Sequence, residues 1–141
     1  MRTADGFFSL DDAMEFVGLL LSRNLKPDHL YHTIATVAGI AEKEDADFGP
    51  DSYDAARALA AIEMVAAANG HPSTDLPHSA RQWLQKNTPL RFRINEEQRT
   101  GLCKQAIQQI RSNSELRDVW EEEGTWDLWR SQLEDLGRRV S

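Results

Sequence analysis

Between Asp51 and Asn69 most residues are alanine or a larger apolar side chain, and neither proline nor glycine interrupts the run. Alanine is the best helix former, and Gly70 stands where a glycine closes a helix, so the stretch predicts a helix over its whole length. With Leu59, Ile62, Met64 and Val65 distributed around it, this helix is apolar on nearly every side. A helix of that kind lies buried, and its many small residues let neighbouring helices approach closely. Glu63 is the exception. A carboxylate there needs a partner, and Arg57 is too far along to share its turn, so the partner must come from another element.

The flanking sequence supplies further helices. Ser9 and Asp12 read as a capping pair ahead of Phe16, Leu19 and Leu20, predicting a helix from about Leu10 to Arg23. Pro27 and Asp28 start a second helix, whose apolar positions Leu30, Tyr31, Ile34, Val37, Ala38 and Ala41 carry it to about Glu44. Asp45 to Pro50 read as a loop. After the turn-rich stretch His71 to Pro77, a short helix spans about Ser79 to Lys86 with Trp83 and Leu84. Leu90-Arg91-Phe92-Arg93-Ile94 alternates apolar and basic residues, which is a strand signal, yet no partner strand occurs elsewhere. It is read as an extended loop, with a small two-stranded element as the alternative. Asn95 with Gln98 caps a helix reaching about Ser112; Asn113-Ser114-Glu115 opens another; Gly124-Thr125 separates it from a last helix with Trp126, Trp129, Leu133, Leu136 and Val140. The expectation is an all-α, compact single domain over residues 1–141, built of about six or seven helices.

Composition agrees with one core. A chain of 141 residues buries about 68–70% of its unfolded surface without help from disulfide or metal. The single Cys103, beside Leu102, Ala106 and Ile107, reads as a packed thiol in a reducing compartment. No apolar run approaches a membrane span or a signal peptide, which makes the cytoplasm the expected location. The formal charge of −7 opposes nucleic-acid binding, because phosphate affinity comes from Lys and Arg. Arg91, Phe92 and Arg93 therefore offer too little charge for a nucleic-acid contact.

Other candidate sites fall to their spacing. His29 and His32 share a helix face but lack further ligands. Asp45, Asp47, Gly49 and Asp51 alternate like calcium ligands, but Pro50 and Ala56 occupy positions where a calcium loop needs Gly and Glu. They read as a solvated loop, with Asp51 favouring the next helix N-terminus. Trp120, Trp126 and Trp129 are expected to close the core, with Glu121, Glu122 and Glu123 as a solvated face. No common enzyme signature occurs, and no catalytic residue, metal ligand or cofactor is assigned.

Asn113-Ser114-Glu115-Leu116-Arg117-Asp118-Val119-Trp120-Glu121-Glu122 resembles the end of the domain of unknown function family 4259. The helix Ala55 to Asn69 with Gly70, Pro72, Leu76, Pro77 and Trp83 is similar to that family's middle, and Phe8 to Ala13 to its opening. Together these cover about two thirds of the chain. The departure is at Arg2, Thr3, Ala4 and Asp5, where the family tends to carry a Trp-Gly pair. The resemblance implies a small bacterial helical protein without an assigned activity. The functional expectation is a non-enzymatic protein-binding module, immunity-protein-like, whose acidic surface meets a basic protein partner. The alternatives are a small-molecule binder or enzyme with a site between helices near Glu63, and a self-associating structural protein.

Overall fold

The computed structural model describes residues 6–39, 50–92 and 94–141. Among them are seven α-helices and one 3-10 turn at Phe7–Ser9, and no strand. The helices are α1 (Asp11–Ser22), α2 (Asp28–Ala38), α3 (Ser52–Ala68), α4 (His78–Asn87), α5 (Glu96–Ser112), α6 (Glu115–Glu122) and α7 (Trp126–Arg139).

The alanine-rich helix α3 is the hub. It packs against all six other helices, and eleven consecutive or near-consecutive residues from Ala55 to Ala66 are buried. Small side chains make this possible, because a neighbour can settle close to the α3 backbone on every side. Leu59 and Ile62 are shut off from solvent, and each such side chain contributes about 1.5–3 kcal/mol by leaving water. The buried residues of all seven helices and of the 3-10 turn join in one apolar cluster.

Local chemistry sets the helix ends. The Asp51 carboxylate accepts from the Asp54 N–H at 2.8 Å and so caps α3. At the other end Gly70 takes φ +94°, while the His71 N–H donates to the Ala66 carbonyl and the Gly70 N–H to that of Ala67. This double bond pattern closes a helix on a left-handed glycine. Asn95 and Gln98 form a reciprocal capping box on α5 at 2.8 and 3.0 Å. Ser114 links two helices: its Oγ donates to the Ile110 carbonyl at 2.8 Å and accepts from the Arg117 N–H at 3.0 Å.

Two expectations need correction. Ser9 does not cap α1; its hydroxyl donates to the Gly6 carbonyl, and Leu10 precedes the helix without a side-chain cap. The second helix stops at Ala38 rather than near Glu44, because Gly39 adopts φ +82°, the left-handed conformation that closes a helix. The remainder of that predicted helix lies outside the described residues. The described part of 90–94 holds no strand. Leu90 and Phe92 are instead fastened by Arg99, whose guanidinium donates to the Leu90 carbonyl at 3.5 Å and lies 5.6 Å from the centre of the Phe92 ring. No described helix is long and apolar enough to cross a membrane.

Candidate functional site

Glu63 projects from α3 into the packed interior and is 1% exposed. The partner it needs is Arg139, in the last turn of α7, which forks across the carboxylate. Nη1 donates to Oε1 at 2.6 Å and Nη2 to Oε2 at 3.0 Å. A bidentate fork of this kind is the strongest ion-pair geometry available to a protein. The same guanidinium donates through Nε to Asp135 Oδ2 at 2.8 Å, one helical turn back, and through Nη1 to the His71 carbonyl at 3.3 Å. One side chain thus ties α7, α3 and the loop that follows α3.

Two more carboxylates influence the centre. Asp135 and Asp75 both act on Glu63 through their charge. Asp75 also accepts from the Ser73 hydroxyl, and its Oδ2 lies 2.6 Å from where a Cβ on Gly6 would stand. Burial pushes the Glu63 carboxyl above its ordinary value; the Arg139 hydrogen bonds and charge pull it back, and Asp75 and Asp135 add to the rise. Both Glu63 oxygens are committed to Arg139, so the chemistry this arrangement performs best is clamping. Glu63 lines neither of two described cavities, one between α5 and α7 and one beside Tyr31 and Gln98. Arg57, set aside on spacing, lies over the Phe16 and Tyr53 rings at 5.1 and 4.9 Å.

The other sequence candidates are scattered. His29 and His32 are exposed on α2, and no group of three or more ligating side chains occurs among the described residues. Asp51 caps α3, as its position suggested, while Asp45, Asp47 and Gly49 lie outside the described residues. Phe92 faces inward, against Tyr31 at 6.2 Å and under Arg99, rather than outward beside Arg91. Arg93 lies outside the described residues. Cys103 is fully buried, and burial pushes its thiol up to about 12.

The tryptophans form a stack rather than a pocket. Trp120 is 2% exposed and lies 4.7 Å from Trp129 and 6.3 Å from Trp126, nearly parallel to the first. Phe7 extends the stack beyond Trp129, and Arg117 covers Trp126 at 4.5 Å. Only Trp120 of the three closes the core. Trp126 and Trp129 are partly buried residues packed against the core, on the same stripe of α7 as the fully buried Leu133 and Leu136 but nearer the start of the helix. Glu121 pairs with Arg117 at 2.8 Å, and Glu122 and Glu123 are exposed. What the sequence did not disclose is the set around Glu63: Arg139, Asp135 and Asp75.

An all-α fold organised about one alanine-rich helix, with a buried acid clasped by the last helix, is the class that these features define. Within it the chain belongs to the family described as Domain of unknown function (DUF4259), whose pattern matches residues 5–132. The match includes Glu63 and ends before Asp135 and Arg139. No curated protein and no solved structure matches the chain.

Proposed function

We propose that this chain is a single-domain, non-enzymatic binding module of the cytoplasm, whose acidic surface docks a protein partner with a basic face, as immunity proteins dock basic toxins. The observation behind this reading is where the charge lies. Residues 1–54 hold eleven Asp and Glu against four Lys and Arg, whereas residues 55–141 hold twelve of each. The whole net charge of −7 therefore belongs to the first 54 residues. Asp11 and Glu15 on α1 and Asp51 at the start of α3 are exposed, within reach of a partner. Commitment of the Glu63 carboxylate to Arg139 further favours binding over acid–base work.

A concentrated field of one sign speeds encounter with the opposite sign and makes the rate fall with salt. The test uses the tagged wild type and a D11N/E15Q variant as baits in host lysate, followed by association rates for any purified partner. The reading expects a basic partner retained at low ionic strength, binding the variant more slowly. A partner whose association rate ignores both salt and neutralisation would refute it, as would the absence of any partner at low ionic strength.

A further inference from the structure

A groove of about 300 Å³ runs between α5 and α7, with Ile107 and Leu133 at its base. Lys104 and Arg111 reach it from α5, two turns apart, and Arg138 from α7. In a chain of net charge −7, three cations line this groove beside one side-chain carboxylate, Glu134, and Ser141. The ion pairs present are long and open to water: Arg111 to Glu134 at 3.5 Å and Arg138 to Asp135 at 3.7 Å. Exposed pairs of this kind hold their members weakly, so both guanidinium groups are available to a ligand. Lys104 has no ion pair among the described residues.

Gly137 adds an independent observation. It lies inside α7, where glycine is a poor helix former, and nothing stands within 4 Å of where its Cβ would be. Neither backbone conformation nor close packing demands a glycine there. Its effect is to leave the groove open, since any larger side chain at this position projects into the lining.

We propose that the α5–α7 groove binds a small amphiphilic organic anion: a carboxylate or phosphate head held by Lys104, Arg111 and Arg138, with an apolar body over Ile107 and Leu133. The volume stands at the low end for small-molecule sites, which selects a compact ligand over a protein segment. This site is separate from the acidic residues of α1 and does not depend on them.

The probe is phenyl phosphate, titrated into the uniformly 15N-labelled full chain and read by amide chemical shifts, with inorganic phosphate as comparison. The expected result is a saturable shift centred on Ile107, Leu133 and Gly137, and weaker binding of inorganic phosphate. K104E/R138E changes only exposed side chains and should weaken binding by about tenfold or more. G137F should keep the helical spectrum and abolish the saturable shifts. The proposal is overturned by the absence of saturation, by shifts spread over the whole surface, or by undiminished binding in either folded variant. Equal affinity for inorganic phosphate would overturn its apolar half.

Discussion

Replacing Arg139 by Met removes the guanidinium while keeping much of the side-chain bulk, and leaves the Glu63 carboxylate buried without its partner. Arg139 is 20% exposed and Glu63 1%, so solvent screens the pair little. Loss of one partner from such a pair costs about 3–5 kcal/mol, a large share of the roughly 5–15 kcal/mol that holds a domain together. Part of the loss is recoverable. Replacing both members by Met leaves no stranded charge, and E63M/R139M should be more stable than R139M alone by about 2 kcal/mol or more. Protonation gives a second signature. The folded state raises the Glu63 pKa above its unfolded value, so the folded chain binds that proton more tightly. Ionising Glu63 therefore lowers stability as pH rises from the ordinary glutamate value through the folded one, and stability returns as pH falls. Without Arg139 the carboxyl loses the group that pulls it down, so the rise is larger and the R139M deficit should shrink on acidification. Urea unfolding followed by far-ultraviolet circular dichroism measures all three chains across pH. A deficit below about 1 kcal/mol, strictly additive losses, or a deficit that grows toward acid would refute the clamp.

Three further outcomes follow from the packing. Cys103 is fully buried with its thiol pushed up to about 12, so a thiol reagent at neutral pH should label only unfolded chain; rapid labelling of native protein would contradict that placement. Trp120→Ala should cost about 3–5 kcal/mol in urea unfolding and Trp129→Ala clearly less; equal losses would put Trp129 in the core. Gly137→Ala adds a methyl to open space inside a helix and should stabilise by about 0.4–1 kcal/mol, whereas destabilisation would reveal a contact at that position.

Apolar spacing made all seven helices legible, because each buries a face whose period survives any change of neighbour. Capping made three of their N-termini legible: Asp51, Asn95 and Ser114 act through bonds to residues three positions away, which sequence order alone specifies. The end of α2 was misread because apolar residues continue at helical spacing beyond Gly39, and the backbone freedom of that glycine outweighs the pattern. Ser9 was misread because a local carbonyl, that of Gly6, competes for its hydroxyl. The burial of Glu63 and its need for a partner on another element could be read from α3 itself. That Arg139 is the partner could not, since Arg138 and Arg139 are neighbours in sequence and only the crossing of α7 over α3 selects between them. The same limit hid the α5–α7 groove. Lys104 and Arg111 share a helix face by spacing, but their meeting with Arg138 depends on two helices lying side by side.

Native-state hydrogen exchange tests the central placement of α3 most directly. A helix packed by six others should open only when the whole chain unfolds, so the amides from Leu59 to Val65 should exchange slowest of all, at a rate set by global stability. Exchange of those amides as fast as at the exposed ends of α4 or α7 would contradict it.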